Sequence, residues 1–254
     1  MNFKTNMTTS TLLAAGFSLL AGSAAAQTCV ANNCATLGFT KSEDNCEGDI
    51  IRCPFDTSKV FCKEKKVYAP KPGDILYSDG TISDSVIASK TPVGIVAYVN
   101  GSNGFAVSLT EVSKTWSSGY EDVSCLTNYS SSSKAMTDMN GKNNTMCLVN
   151  YSGSYSYPAA EYCNTFSAVS NGKGSSGWYL PAAGELYSMS FSYGAINLGL
   201  QKLSKTQISS NYYWSSSEGY YSHGYDAWVV RPSDGGMGYY GKGNSYRVRC
   251  VLAL

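Results

Sequence analysis

The sequence predicts a mixed α+β fold preceded by a small Cys-rich segment. Runs rich in β-branched residues and separated by turn signals fill residues 74–109, and helix-forming runs fill much of residues 158–203. Short apolar strands return near the C-terminus, whereas five cysteines crowd into a 34-residue stretch near the N-terminus. We therefore expect one α+β domain over residues 67–254 and a disulfide-stabilised segment over residues 27–66.

The first 26 residues have the pattern of an export signal. Lys4 is their only charge, Leu12 to Ala21 form a short apolar core, and Ala24 to Ala26 offer a small-residue cleavage site. This apolar run is too short for a membrane-spanning helix. We expect residues 1–26 to be removed as a signal peptide and the protein to be secreted or held at the cell surface or in the periplasm, without membrane insertion.

The charge balance argues against two classes of partner. The chain has 19 Lys+Arg and 18 Asp+Glu, so loss of Lys4 leaves 18 against 18 and a formal net charge of zero. A chain this neutral has no electrostatic footprint for nucleic acid or for an anionic membrane. We predict no cofactor, no bound metal and no nucleic-acid partner.

Cysteine usage favours disulfides over a zinc site. The spacings contain no C-x2-C knuckle and the chain has a single histidine, while export makes disulfides the default. The count is odd, so one thiol is left over, either free, paired between chains or shielded from solvent. The sequence leaves the pairing of the first five open among Cys29, Cys34, Cys46, Cys53 and Cys62.

The predicted domain begins with an antiparallel meander. Asp74–Tyr77 and Thr81-Ile82 flank the turn Ser78-Asp79-Gly80, which predicts a hairpin. Val93–Val99 and Phe105–Leu109 flank a second turn of Asn, Gly and Ser and predict two further strands.

The middle of the domain combines irregular structure with helices. Residues 113–157 show little periodicity and predict a long irregular region, within which Cys125 and Cys147 would suit a crosslink. Pro158 is well placed to open a helix. Further helices are predicted at Ala182–Met189 and Ala195–Leu203, and final strands at Tyr212–Ser215, Ala227–Arg231 and Tyr246–Leu252.

The most informative segment is the Tyr- and Gly-rich tract near the C-terminus. Eight of the twenty tyrosines and seven glycines lie between Tyr212 and Tyr246. This is the composition of binding loops, since Tyr supplies rigid contact area and Gly and Ser supply adaptability. The predicted ligand contacts are Tyr220, Tyr221, His223, Tyr225, Asp226, Trp228, Arg231, Asp234, Tyr239, Tyr240, Lys242 and Asn244.

Other conspicuous residues are predicted to be structural. Glu185 falls in the first turn of a helix, where its charge suits the helix dipole. Arg249 is expected to pair with a carboxylate such as Glu185 or Glu218. The full structural set is Trp178, Leu180, Pro181, Glu185, Leu186, Trp214 and Arg249.

Two possible chemical sites are weighed against simpler interpretations. Asp138, Asn140 and Asn143 could ligate calcium, but Asn140-Gly141 is also a turn signal, and the turn is favoured. His223 could serve a catalytic triad, but its interchangeable neighbours favour a surface contact. We therefore predict a protein that is not an enzyme.

Several motifs, taken together in order and spacing, resemble the Lcl C-terminal domain family of bacterial exported proteins. The resemblance covers about residues 70–254 and implies a C-type-lectin-like fold with two helices, a twisted antiparallel sheet and long irregular loops. It also implies a disulfide between Cys163 and Cys250. The motifs are Gly177-Trp178-Tyr179-Leu180-Pro181-Ala182-Ala183-Gly184-Glu185-Leu186, Tyr213-Trp214-Ser215-Ser216-Ser217-Glu218, Ala227-Trp228 and Val248-Arg249-Cys250-Val251.

The resemblance bears on function in three ways. The sugar-and-calcium motifs of true C-type lectins do not occur in this sequence. Formylglycine-generating enzymes share the implied fold, but they need a reactive cysteine pair near the C-terminus, where this chain offers only Cys250. The stretch Gly219–Asp226 is similar in composition to the variable loops of proteins diversified by retroelements.

We expect an exported ligand-binding or adhesion module with an unidentified protein or glycan ligand. The alternatives are a structural or assembly subunit of a surface fibre and, less favoured, an enzyme of the formylglycine-generating type.

Overall fold

The structure is a computed structural model that describes residues 39–41, 49–53, 56–63, 68–220 and 224–254. The chain divides into two compact units, residues 1–67 and 68–254. The described part of the first unit is a three-stranded antiparallel sheet of order β1-β3-β2, with β1 Phe39–Lys41, β2 Asp49–Cys53 and β3 Asp56–Lys63. The predicted signal peptide and the side chains of the five N-terminal cysteines lie outside the described residues.

The second unit contains the remaining strands and helices. Its strands are β4 Ile75–Tyr77, β5 Ile82–Ser83, β6 Pro92–Asn100, β7 Asn103–Ser108, β8 Val112–Thr115, β9 Asn128–Tyr129, β10 Trp178–Tyr179, β11 Tyr213–Gly219, β12 Asp226–Arg231, β13 Gly236–Gly241, β14 Ser245–Val248 and β15 Val251–Ala253. Its helices are α1 Ser132–Ala135, α2 Gly141–Asn150, α3 Pro158–Thr165, α4 Ala183–Ser190 and α5 Tyr193–Lys202.

Two six-stranded sheets organise this unit. The first is antiparallel, with strand order β10-β15-β7-β6-β4-β5. The second has the order β13-β12-β11-β14-β8, and β9 also pairs with β11. Its pairs are antiparallel except that β11 runs parallel to both β14 and β9. The fold class is thus mixed α+β with two antiparallel-rich sheets.

Apolar side chains form two buried clusters. One includes Ile95, Leu186 and Trp228, and the other includes Trp178, Trp214 and Val229. Neighbouring residues of β12 therefore contribute to different clusters, as expected when side chains alternate across a strand.

Two disulfides brace the unit, and both were predicted. Cys163 of α3 is bonded to Cys250, which directly precedes β15. Cys125 is bonded to Cys147 of α2.

Most elements agree with the sequence, and four predictions about the fold were wrong. The hairpin at Gly80, the meander and the helices at Pro158, Ala183 and Tyr193 are confirmed. Residues 113–157 are not a long irregular region, because they contain most of β8 together with β9, α1 and α2. The described residues contain five helices rather than two, and Asn140-Gly141 begins α2 instead of making a plain turn.

The fourth wrong prediction concerns the C-terminal tract. The predicted strand at Ala227–Arg231 is confirmed by β12, but the residues after it contain a further strand where a loop was expected. This strand is β13, which pairs with β12 in register over six residues, from Asp226–Gly241 to Arg231–Gly236. Strand-borne side chains hold fixed directions, so the tract presents two distinct faces.

Candidate functional site

Three of the predicted ligand contacts are buried and cannot touch a ligand with their side chains. Trp228 is 2 % exposed and packs in the core, Asp226 is 7 % exposed, and Lys242 is 0 % exposed. Trp228 also donates its indole N–H to the carbonyl oxygen of Tyr129 at 3.1 Å. These residues support the surface from below.

The other predicted contacts divide between different surfaces. Tyr239 and Tyr240 are both exposed, but as neighbours in β13 they point to opposite faces. The Tyr239 ring packs edge-on against Trp228 at 5.5 Å. The Tyr240 ring instead lies 5.8 Å from Tyr212 and 5.2 Å from Tyr246.

Tyr240 borders a groove on its face of the sheet. The groove has a volume of about 500 Å³ and lies where β11 begins, between β12 and β14. Gly238 leaves room for the Tyr240 ring, because a Cβ at position 238 would lie only 3.0 Å from that ring. We call this the tyrosine groove; its lining residues are Ser113, Ser210, Asn211, Tyr212, Arg231, Ser245, Tyr246 and Arg247.

Both charged residues that line the tyrosine groove are arginines held by ion pairs. Arg231 pairs with Asp234, with Nη2 2.7 Å from Oδ2, and its guanidinium lies 5.3 Å from the centre of the Tyr212 ring. Arg247 pairs with Glu111, with Nη1 2.5 Å from Oε1. The two ion pairs orient the guanidinium groups toward the groove, and the Arg247 pair has a buried partner because Glu111 is only 4 % exposed.

Glu111 is shared by two arginines. Its second carboxylate oxygen lies 3.1 Å from Nη2 of Arg249 and accepts the hydroxyl of Tyr213 at 2.8 Å. Burial raises the pKa of Tyr213 to about 12, so this hydroxyl stays a donor. The predicted partners of Arg249, Glu185 and Glu218, were therefore wrong. One carboxylate for two guanidinium groups leaves this end of the sheet with excess positive charge.

A second exposed aromatic surface lies at the far end of β11. The rings of Tyr120 and Tyr225 are stacked, with centroids 4.4 Å apart, and are 48 % and 45 % exposed. Glu121 and Asp122 follow Tyr120 directly. Asp122 is exposed and accepts the side-chain amide of Asn128 at 2.7 Å. We call Tyr120, Glu121, Asp122 and Tyr225 the acidic tyrosine patch.

The acidic tyrosine patch rests on a buried ion pair. Lys242 Nζ contacts Glu218 Oε1 and donates to the backbone oxygen of Glu121 at 2.6 Å. The ammonium also lies 4.7 Å from the centre of the Trp116 ring. Burial raises the pKa of Glu218 to about 7 and lowers the pKa of Lys242, since both charged forms lose hydration.

The predicted structural residues all lie in the interior: Trp178, Leu180, Pro181, Glu185, Leu186, Trp214 and Arg249. Glu185 accepts the backbone N–H of Ala182 at 2.8 Å and the hydroxyl of Tyr179 at 3.0 Å. Glu185 thus lies in the first turn of α4, as predicted, and it also accepts the backbone N–H of the residue before the helix. Burial raises its pKa to about 7.

The possible calcium ligands do not form an open set of oxygens. Asp138 is buried, and its carboxylate accepts Asn140 N–H, the Asn144 side-chain amide and the Ser217 hydroxyl, at 3.0, 2.9 and 2.6 Å. Within the described ranges, no group of three or more His, Cys, Asp or Glu side chains could hold a metal ion. The same part of the chain contains no helix long and apolar enough to cross a membrane.

The remaining predicted contacts are exposed or undescribed. Tyr220 is 63 % exposed just beyond β11, and Asn244 is exposed in the turn between β13 and β14. Tyr221 and His223 lie outside the described residues.

Sequence reasoning missed Tyr212, Tyr246 and Arg247 in the groove and Tyr120 in the patch. One signal was available: Arg247 and Arg249 are two residues apart in an extended segment, which places both side chains on one face.

The fold and the site together define a disulfide-braced α+β domain with an aromatic, arginine-bearing groove. Residues 115–252 match the model of the Lcl C-terminal domain, more than half of the chain, and the chain belongs to this family. Among curated proteins no sequence matches it.

A solved structure shares the fold. It is a fimbrial protein from Bacteroides ovatus, with a TM-score of 0.58 and 21 % sequence identity. The match covers 73 % of this chain and 49 % of the fimbrial protein, so this chain spans about half the length of that relative.

Proposed function

We propose that this protein is an exported, cell-surface recognition module related to fibre proteins, and that it binds its partner through the tyrosine groove. Membership of the Lcl C-terminal domain family and the likeness to a fimbrial protein support a surface, fibre-related role. The predicted export signal agrees with it.

The observation that carries the proposal is the composition of the tyrosine groove, in which tyrosine rings and arginine side chains lie side by side. Three tyrosine rings, those of Tyr212, Tyr240 and Tyr246, cluster within 6.4 Å of one another at its rim and floor. Two ion-paired arginines supply oriented donors beside them. Tyr and Arg are the residues most enriched among the dominant contacts of interfaces.

We further propose that the unit is a C-type-lectin-like domain. Two antiparallel-rich sheets and a disulfide from helix α3 to the residue before β15 support this interpretation. The same disulfide occupies Cys250, the cysteine that an enzyme of the formylglycine-generating type would need. A non-catalytic role is therefore preferred.

A second candidate is a structural subunit of a surface fibre, and the fimbrial relative favours it. The two roles are compatible if the groove recognises another fibre component.

The test is binding of the secreted protein to arrays of glycans and surface proteins. Tyr240→Ala should reduce binding at least tenfold, because it removes an exposed ring from the groove. Tyr239→Ala is a matched control, since the two tyrosines are 38 % and 44 % exposed on opposite faces of one strand. Thermal unfolding should change little in the Tyr240 variant. Equal binding by the parent and both variants would refute the groove as the site.

A further inference from the structure

Strand β13 lies at the edge of the second sheet and lacks the features that usually protect such an edge. Among the described residues its one neighbouring strand is β12, and the two strands pair over six residues without a bulge. The sequence of β13, Gly-Met-Gly-Tyr-Tyr-Gly, contains no proline and no charged residue. Alternate residues of an edge strand turn their N–H and C=O groups away from the sheet, so the edge is a template on which another strand can pair.

The other sheet edges in the described part of residues 68–254 are protected against such pairing. Strands β5 and β10, at the two ends of the first sheet, have only two residues each. Strand β8, at the far edge of the second sheet, has four residues and includes Lys114. Short edge strands and charged side chains are the usual means by which proteins prevent strand addition. Strand β13 has neither, which points to a ligand that is itself a strand.

Two cavities adjoin one another along β13. The first, of about 370 Å³, is bordered by Gly236 and by Met136, which follows helix α1. The second, of about 310 Å³, is bordered by Gly238. Met237 of the strand and Ser132 of α1 border both cavities. Gly236 and Gly238 are two residues apart, roughly 7 Å along a strand, which is the spacing of successive side chains on one face of an extended chain.

The two cavities suit uncharged side chains. Of the residues that border them, all within the described part of the chain, Asp234 carries the only charge, and its carboxylate lies 2.7 Å from the guanidinium of Arg231. Met136, Met237 and Tyr187 supply apolar surface. A charged side chain placed there would lose hydration without gaining an ion-pair partner. The cavities therefore favour apolar residues at alternate positions of a ligand.

The β13 strand of a second copy fits these cavities poorly. Two copies joined edge to edge would have to fill each other's cavities with the side chains on that face of β13, which are Met237 and Tyr239. Met237 packs against its own buried cluster, and the Tyr239 ring packs against its own Trp228 at 5.5 Å. The occupant that fits is a segment of another protein whose apolar side chains are not already packed.

We propose that β13 binds an extended segment of a partner protein as an added strand, with two apolar side chains, two residues apart, in the two cavities. In strand addition, backbone hydrogen bonds supply affinity and pockets for alternate side chains supply specificity. The site is separate from the tyrosine groove, because the residues that border the groove and those that border the cavities have no member in common. It is a second binding surface and does not depend on the proposed function.

The probe is a phage-displayed library of random short peptides, selected on the full secreted chain. Selected peptides should carry apolar residues at positions i and i+2, without proline between them. Ser132→Trp places a large ring beside both cavities and should weaken binding of a synthesised peptide at least tenfold. Ser133→Trp is the matched control, because Ser133 is the next residue of α1 and borders neither cavity. Both serines are exposed, so both variants should fold.

A second measurement uses the parent protein and does not depend on how any variant folds. Two versions of the selected peptide carry N-methyl groups on alternate backbone amides, one version on the odd positions and the other on the even positions. Only one of these sets of amides faces β13 in an added strand. One version should therefore bind at least tenfold more weakly, and the other should keep its affinity.

Three results would overturn the proposal. The first is a library that yields no peptide whose binding is weakened more by Ser132→Trp than by Ser133→Trp. The second is equal binding by the two N-methylated peptides. The third is a parent dimer in sedimentation velocity that Ser132→Trp dissociates, which would identify a second copy as the occupant of the edge.

Discussion

The buried ion pair of Lys242 and Glu218 lies beneath the acidic tyrosine patch, and we expect its loss to destabilise the domain in a pH-dependent way. Lys242→Met keeps an unbranched side chain that is one atom shorter, and it removes the ammonium group together with its charge and its contact with the Trp116 ring. Glu218 then retains the backbone N–H of Val123, 3.3 and 3.2 Å from its two carboxylate oxygens. Removing one partner of a buried ion pair typically costs about 3–5 kcal/mol of unfolding free energy, since the other charge is left buried and unpaired.

The loss of unfolding free energy in this variant should depend on pH, because Glu218 becomes neutral when it takes up a proton. Its folded-state pKa is about 7, above the ordinary value of 4.5. A carboxyl group whose pKa is raised by folding stabilises the folded state fully below its unfolded pKa and loses that contribution as pH rises through the folded value. Loss of Lys242 raises the folded-state pKa of Glu218 further, so the variant should be destabilised most at pH 8.5 and least near pH 5.

The assay is urea unfolding followed by tryptophan fluorescence at pH 5 and pH 8.5. The control is the double variant Lys242→Met with Glu218→Gln, which buries no charge and should recover most of the loss at pH 8.5. The reasoning fails if the single variant loses the same free energy at both pH values. It also fails if the double variant is no more stable than the single one at pH 8.5.

Three further changes test how Glu185 and the two disulfides contribute to stability. Glu185→Gln should change how the free energy of unfolding depends on pH. Folding raises the pKa of Glu185 from 4.5 to about 7, so its contribution to the free energy of unfolding falls by about 3 kcal/mol as pH rises from below 4.5 to above 7. Urea titrations of the variant should lack this decrease. Cys163 and Cys250 are 87 residues apart in the sequence, so their disulfide closes a long loop. Replacing both by Ala should lower the free energy of unfolding by about 4–5 kcal/mol in the chain-entropy model. Replacing Cys125 and Cys147 by Ala, with a separation of 22, should cost less, about 3 kcal/mol; the reverse order in calorimetry or urea unfolding would contradict the loop-length argument.

Elements that depend on local chemistry were predictable from the sequence. The turn at Gly80 has a φ of +83°, a left-handed conformation that glycine adopts without strain, so its Asp-Gly signal marked the hairpin correctly. Pro158 stands in the first turn of α3, where a missing N–H costs nothing.

Elements that depend on distant contacts were not predictable. Helix α2 buries only Gly141, Thr145 and Leu148, so its sequence has no apolar stripe. What holds it is tertiary: the Thr145 hydroxyl accepts Leu180 N–H at 2.9 Å, and Cys147 is bonded to Cys125. Strand β13 contains three glycines, which favour loops locally, but pairing with β12 overrides that preference.

The residue types of the candidate site could be predicted from the sequence, but the particular residues that form it could not. Its composition of Tyr, Gly and Arg was visible in the sequence. Which tyrosines converge depends on the parallel pairing of β11 with β14, which places Arg247 opposite Tyr213. No local pattern encodes that pairing, so the sequence predicts Tyr212 and Tyr246 only as the first residues of two strands and not as ligand contacts.

The structure also narrows the hypothesis that Gly219–Asp226 is a diversified segment. Gly224 has a φ of +83°, and a Cβ there would lie 2.3 Å from the backbone of Glu121, so other residues are excluded by sterics. Asp226 is buried beneath the acidic tyrosine patch. Tyr220 and Tyr225 are exposed, so exchanging them would leave the buried clusters unchanged. Variation at these exposed positions would alter the patch and leave the tyrosine groove intact, so a diversified family would keep one recognition surface constant while changing the other.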